Sequence, residues 1–145
     1  MIAIDTNVLV YALQPMAPQH GVALSLVHDL ATGPAPWGLP FPCIGELFRV
    51  VTHRTFRPSV PVAGVWHNLE TLLASPTIQL LTPTTRHVAL LKEVIEDGGA
   101  TGNLIFDAQI ATLCIEYGVR EILTADKDFR RFSGLKVTDP FAGQV

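Results

Sequence analysis

Short apolar strands alternating with longer helical stretches predict an α/β layer fold built on a mostly parallel sheet. Three observations carry this expectation. Brief apolar runs recur at 2–4, 78–81, 121–124 and 135–138. Between them lie segments of helix length, several opened by Pro or a capping residue and closed by Gly. Two acids, Asp5 and Asp126, fall immediately past a strand, and in open α/β sheets the carboxyl ends of the strands are where ligands sit.

The strand at 2–4 leads into a helix beginning at Asn7. A second helix is expected over 18–31, because Pro18 suits a first turn, whose amide needs no partner. The stretch Gly33-Pro34-Ala35-Pro36-Trp37-Gly38-Leu39-Pro40-Phe41-Pro42 reads as a connection with room for one short strand, since Pro is poorly tolerated inside helices and central strands. A third helix should run over 42–55. Pro61 opens a fourth that ends near Ser75-Pro76, and a strand follows at 78–81. Thr84 is expected to cap a helix reaching Asp97, stopped by Gly98-Gly99. The next helix spans 102–117 and ends at Gly118. A strand at 121–124, a short helical turn and a last strand at 135–138 complete the chain. There is no internal repeat and no low-complexity segment. One domain covering 1–145 is expected, because neither side of the Pro-rich patch collects the acids by itself.

The 145 residues, 48% of them hydrophobic and 16% charged, describe a packed globule with a sizeable core rather than a disordered tail. No apolar run approaches the ~20 residues of a membrane span, so no membrane partner is expected. The opening Met1-Ile2-Ala3-Ile4-Asp5 lacks a basic leader and meets an acid at once. Cys43 and Cys114 form no CxxC pair, which fits a reducing cytoplasmic setting. Net charge is −3, from 10 Lys+Arg against 13 Asp+Glu. Alone that disfavours nucleic-acid binding, but acids that hold a metal do not count as free surface charge. The basic residues are also grouped, with Arg49, Arg54 and Arg57 in one stretch and Lys127, Arg130, Arg131 and Lys136 in another. Ordinary solvated surface charge explains such groups equally well.

Four acidic motifs carry the chemistry: Ile4-Asp5-Thr6-Asn7, Gly45-Glu46-Leu47, Asn103-Leu104-Ile105-Phe106-Asp107-Ala108 and Thr124-Ala125-Asp126-Lys127-Asp128-Phe129. Asp5 could simply cap the following helix. Glu46, by its helical wheel, shares a wet face with Arg49 and His53, opposite Ile44, Leu47, Phe48 and Val51. An exposed Glu–Arg pair would explain it. Asp107 is the strongest signal. Leu104, Ile110, Ala111 and Cys114 flank it, while Gln109, Thr112 and Glu116 define the wet face of the helix, and Asn103 lies one turn before. A carboxylate in an apolar stripe costs several kcal/mol unless paired or metal-bound; its bland alternative is satisfaction by a hydroxyl, an amide or Arg120. One of Asp126 and Asp128 could cap the short helical turn. Acids that converge on one cleft repel each other, and a hard divalent cation resolves both repulsion and burial.

These motifs resemble those of PIN domains, and among them the toxin ribonucleases called VapC-type toxins. The opening Met-Ile-Ala-Ile-Asp-Thr-Asn-Val-Leu-Val is similar to the family's first motif, Glu46 to the second, the run 103–111 to the third and Thr124 to Phe129 to the fourth. The resemblance spans essentially the whole chain. It implies a PIN-like α/β/α sandwich around a mostly parallel five-stranded sheet. It also implies a Mg²⁺- or Mn²⁺-dependent endoribonuclease, the toxin of a toxin–antitoxin pair. The family's acids carry over as Asp5, Glu46, Asp107 and Asp126, catalytic and metal-holding, with Asp128 beside them. Thr6, Asn7, Asn103 and Thr124 are expected to aim those carboxylates.

The expected chemistry is cleavage of RNA phosphodiester bonds by a metal-activated water, with Asp5 and Asp107 holding the principal ion and Asp126 and Glu46 completing its surroundings. The resemblance further implies a cognate antitoxin and a homodimer. An antitoxin could inhibit by inserting Arg or Lys among the acids. Its apolar helix face would dock against helices bearing Val8, Leu9, Phe48 and Val51. Three rivals stand beside this reading. A PIN-fold RNA-binding or RNA-processing protein without a toxin role would share the fold. An aspartyl-nucleophile phosphatase would need a second Asp where Asn7 stands. A phospho-receiver would use Asp5.

Overall fold

The computed structural model describes residues 1–143. Its centre is a sheet of five strands, β1 (Ile2–Ile4), β2 (Trp37–Pro40), β3 (Ile78–Leu81), β4 (Glu121–Leu123) and β5 (Lys136–Thr138). They pair in the order β3-β2-β1-β4-β5, and every pairing is parallel. The helices are α1 (Thr6–Ala12), α2 (His20–Thr32), α3 (Pro42–Val51), α4 (Val62–Leu73), α5 (His87–Gly98) and α6 (Leu104–Glu116), with a 3-10 helix at Lys127–Arg131. The chain moves outward from β1 to β3, then returns across the sheet to β4. Right-handed crossovers therefore send α1–α4 to one face and α5, α6 and the 3-10 helix to the other. The packing agrees: α1 lies against α2 and α3, α5 against α6, and α6 against the 3-10 helix. The winding reverses between β1 and β4, which makes their carboxyl ends the crevice of the fold.

Full burial of Ile4, Trp37, Leu39, Leu81 and Ile122 shows why the strands read as continuous apolar runs. The short strand inside the Pro-rich patch is real, and it is an interior strand. Pro40 is tolerated there because it ends the strand, and the next residue resumes the ladder with Phe41 N donating to Leu81 O at 2.9 Å. A Cβ at Gly38 would approach Leu81 Cδ1 to 3.0 Å, so a larger residue there would have to displace the buried Leu81 side chain. Gly98 and Gly99 do stop α5, with Gly99 in the left-handed region at φ 58°.

Helix boundaries differ from expectation at local contacts. Helix α1 begins at Thr6, one residue early, because Asp5 caps it. Helix α2 begins at His20, leaving Pro18 in the preceding turn. Helix α3 ends at Val51, short of 55, and a turn follows before Phe56 is buried. Thr84 does not sit at the cap of α5, which is Arg86; its hydroxyl instead accepts from the Arg86 amide at 3.2 Å.

The expected wet face of α6 is absent. Thr112 is fully buried, its hydroxyl donating to Ala108 O at 2.6 Å. Glu116 is buried as well, and its Oε1 accepts from the amide and the hydroxyl of Thr84. Its Oε2 meets His87 Nδ1 at 2.8 Å. The helix is enclosed almost all round by α5, the sheet and the 3-10 helix, so a single-face wheel misassigns it. Desolvation opposes the charge on Glu116, but the bonds from Thr84 and His87 outweigh it and hold the carboxyl below its usual range. A depressed carboxyl contributes stability above its unfolded value and loses it as the pH falls through the folded one. Glu116→Gln should therefore cost about 1–3 kcal/mol at neutral pH. In urea unfolding series, its gap from wild type should narrow as the pH drops below the ordinary Glu value of about 4.3; an unchanged gap at low pH would refute the ionised network.

Candidate metal centre

Register builds the first half of the site. Ile4 pairs with Leu123, so the next residues, Asp5 and Thr124, emerge side by side at the crevice. Asp5 is 6% exposed. Its Oδ1 accepts the Thr6 amide at 2.7 Å, the capping bond of α1. Its Oδ2 accepts from Thr124 Oγ1 at 2.7 Å and from Asn7 Nδ2 at 3.2 Å. Asn7 also donates to Thr124 Oγ1 at 2.9 Å and accepts the Ala125 amide at 3.2 Å. Thr124 Oγ1 in turn accepts the Asp126 amide at 3.0 Å. One network thus ties the end of β1, the end of β4 and the start of the 3-10 helix. Capping and site geometry coexist in Asp5. The Thr6 hydroxyl is buried without a partner among the described residues.

The second half comes from α6 and the 3-10 helix. Asp107, in the first turn of α6, is half-buried. Among the described residues, no group donates a hydrogen bond to its carboxylate, and Arg120 does not reach it. Asp126 caps the 3-10 helix by accepting the Asp128 amide at 2.9 Å. Asp107, Asp126 and Asp128 can each place a carboxylate oxygen so that all three lie within 4.8 Å of one another. Oxygens on one Mg²⁺ lie ~3–4 Å apart given ~2.1 Å bonds. The donor set is all oxygen and anionic, which suits a hard divalent cation over a soft one. Asp107, with no protein donor of its own, is the group a cation would satisfy.

Two adjoining hollows open onto these acids, of about 740 and about 360 Å³, and both are walled by Glu46, Asp107 and Asp126. Asp5, Thr6 and Asn7 line the smaller one; Asp128, Asn103, Arg49 and Phe106 line the larger. Glu46 is half-buried, because the buried ridge of α3 is Cys43, Leu47 and Val51, which turns the supposed wet face into a cleft wall. The Glu46–Arg49 pair that would have explained this acid blandly is not among the ion pairs of the described residues. Of the two basic groups, Arg49 alone lines the cleft; Arg57 donates to Arg54 O and Arg131 to Gly98 O.

Burial, opposed by the bonds from Thr124 and Thr6 and reinforced by Glu46 and Asp126, pushes Asp5 up to about 6. Burial first, then the charges of Asp126, Asp5, Asp128 and Glu46, pushes Asp107 up to about 7. Both shifts have the sign expected of acids crowded without a counter-charge.

A sequence model described as PIN domain matches residues 2–135. The chain belongs to the PIN domain family. Ribonuclease VapC43 of Mycobacterium tuberculosis is 34% identical over 146 residues, covering 100% of this chain and 99% of the relative. Ribonuclease VapC33 of the same organism is 34% identical, covering 97% and 98%. Among solved structures, VapBC2 from Rickettsia felis, bound to a DNA fragment from its promoter, superposes with a TM-score of 0.65 at 19% identity, covering 95% of this chain and 98% of that one. Mycobacterium tuberculosis VapC20, a sarcin-ricin loop cleaving toxin, gives 0.65 at 15% identity, covering 94% and 99%. The α/β sandwich with its five-stranded parallel sheet is thus the PIN fold.

In this PIN domain the tightest carboxylate trio includes Asp128, which the sequence placed only beside the site, whereas Asp5 is held back in a hydrogen-bond network. The signal for Asp128 was present in its Asp-Lys-Asp spacing, but only the 3-10 turn brings both acids to one side. Arg49 stood out only as part of a basic group and Phe106 only as a neighbour of Asp107 in its motif; neither was singled out as a cleft residue.

Acids with raised values bind protons in the folded, metal-free protein that the unfolded chain has released. Asp5 and Asp107 therefore favour the metal-free fold at low pH, and their contribution is lost as pH rises through about 6 and about 7. A cation competes with those protons. The Mn²⁺-induced rise in melting temperature should accordingly be small at pH 5.5, large at pH 8, and much reduced in Asp107→Asn. Equal shifts at both pH values would contradict this arrangement.

Proposed function

We propose that this PIN domain is a metal-dependent endoribonuclease that acts as the toxin of a toxin–antitoxin pair. The carrying observation is the convergence of Asp107, Asp126 and Asp128 within 4.8 Å at the crevice beside Asp5 and Glu46. Relatives named ribonuclease at 34% identity over the full chain support the activity. In this reading Asp107, Asp126 and Asp128 would hold Mg²⁺ or Mn²⁺, with Glu46 and Asp5 as further carboxylates on the walls of the adjoining hollows. When bound, such an ion supplies a water acidic enough to attack near neutral pH and withdraws charge from the phosphate. The chain's own residues do the positioning. Thr124 and Asn7 fix the Asp5 carboxylate, and Asp126 fixes the turn that carries Asp128. None of the five histidines lines either hollow, so no imidazole serves as base.

The phosphatase alternative fits the geometry poorly. Both oxygens of Asp5 already accept hydrogen bonds, which blunts a nucleophile, and Asn7 spends its amide on Asp5, Thr124 and Ala125. With purified protein and a mixed RNA substrate, Mn²⁺ should stimulate endonucleolytic cleavage and EDTA should abolish it. Asp107→Asn and Asp126→Asn should each lose about 100-fold or more, in the range of removing a principal electrostatic stabiliser, while keeping a native melting profile. Full activity in either variant would sink the mechanism.

A toxin requires an inhibitor, and solved structural neighbours are described as VapBC and FitAB assemblies. An apolar groove of about 290 Å³ between α1, α2 and α4 suits a partner's helix, walled by Leu9, Leu13, Leu24, Val27, Leu69 and Leu72. Two of the residues first expected on the walls are excluded, because Val8 and Val51 are fully buried; Leu9 remains, and Phe48 packs on Trp66 at 4.7 Å between ring centroids. Leu24, 52% exposed, can be changed without touching the cleft. Leu24→Glu should weaken copurification with the product of the adjacent small open reading frame and leave RNA cleavage unchanged. Cell toxicity that persists with that neighbour co-expressed, and no complex on a sizing column, would return the protein to RNA processing without a toxin role.

A further inference from the structure

The larger hollow is asymmetric in a way the metal site does not explain. Its walls hold four carboxylates, Glu46, Asp107, Asp126 and Asp128, together with one cation, Arg49. Arg49 forms no ion pair among the described residues, although Glu46 lies one turn before it on the same helix. Phe106 immediately precedes Asp107 and lines the same hollow, yet its ring is 62% exposed. Of the apolar residues that follow it on α6, Ala108, Ile110, Ala111, Leu113 and Cys114 are buried and Ile115 partly so. A single exposed Phe is unremarkable on an ordinary surface. Here it shares the lining of a carboxylate cleft with a guanidinium that has no ion pair among the described residues and with the amide of Asn103.

On the nuclease reading above, we propose that Phe106 and Arg49 form a nucleotide subsite next to the cleaved bond, for an unpaired base stacked on Phe106 whose phosphate is held by Arg49. The chemistry favours single-stranded RNA over a duplex, because a base must be splayed out to offer its face to an aromatic ring. Aromatic stacking tolerates any base, so the subsite adds affinity and register more than sequence choice. Arg49 answers an electrostatic need. A phosphodiester entering a cleft with this many acids is repelled except where a cation meets it, and Arg49 is the cation among the residues lining this hollow. Arg supplies a planar, permanently charged fork for phosphate oxygens. The smaller hollow beyond Asp107 and Asp126 then receives the strand on the opposite side of the scissile phosphate.

The test uses fluorescein-labelled single-stranded RNA, first mapped for its cleavage position with the wild type. Binding is read by anisotropy in an Asp126→Asn background, which keeps the RNA intact. Phe106→Ala should weaken binding by about 5- to 150-fold, the span of one base–aromatic stack, and Phe106→Trp should restore it. Arg49→Ala should weaken binding and flatten the salt dependence by about 0.7 in slope, one single-strand phosphate. In otherwise active protein, Phe106→Ala should act mainly on KM. An abasic position next to the cleavage site should cost the wild type as much as Phe106→Ala does and cost that variant nothing more. Binding by Phe106→Ala equal to wild type, or an abasic effect that simply adds to it, overturns the stacking. A shift in oligomeric state of Phe106→Ala in sedimentation overturns it too, since the ring would then belong to a contact between copies. Absence of metal-stimulated cleavage by the wild type would instead reject the nuclease reading, while the anisotropy measurements still decide the subsite.

Discussion

Ile4 pairs with Leu123 on two parallel strands, and the next residue on each strand is polar: Asp5 on one, Thr124 on the other. Their hydrogen bond of 2.7 Å is the contact from which the rest of the site is measured. It lies where the sheet order reverses, so the crossovers on either side diverge and leave a crevice above it. From Thr124 the chain turns at once into Asp126 and Asp128. From the return crossover, α6 brings Asp107 over the same crevice. A slip of one residue between β1 and β4 would turn Asp5 or Thr124 to the opposite face of the sheet and dismantle the network.

Two carboxylates on α6 illustrate the difference between an acid satisfied within the fold and one that is not. Glu116, at its end, is buried, but each oxygen has protein partners and the charge is held. Asp107, at its start, is half-buried and receives no hydrogen bond from the described residues, so burial and neighbouring acids push it up to about 7. The first is satisfied by folding. The second is left frustrated, and what satisfies it must come from outside the chain. Frustration of this kind is tolerated where surrounding structure fixes the geometry, as the Asp5–Asn7–Thr124 network does here.

The modest net charge of −3 also resolves at this scale. Five of the 13 acids, Asp5, Glu46, Asp107, Asp126 and Asp128, line the two hollows, and Arg49 on the same wall has no ion-pair partner among the described residues. Whole-chain charge is therefore a poor guide to how such a cleft meets a charged ligand, because the relevant field is local.

The sequence by itself determined the layered α/β class, the order of strands and helices, and four of the acids that line the cleft. Strand periodicity, Pro and Gly punctuation and the position of Asp5 and Asp126 past strands are local properties, readable without contacts. The sequence could not determine which face of α6 is wet, because that helix is enclosed on nearly every side and offers no contrast between faces. The helical wheel alone left Glu46 on a solvated face, because a cleft wall and open solvent give the same wheel; only the family resemblance drew it to the site. The sequence ranked Asp128 below Asp5, since the reach of a carboxylate depends on the 3-10 turn and on hydrogen bonds across more than a hundred residues. Arg49 and Phe106 were decided only by tertiary structure, because a cleft is made where α3 and α6 meet, and no periodicity within one segment records what stands across from it.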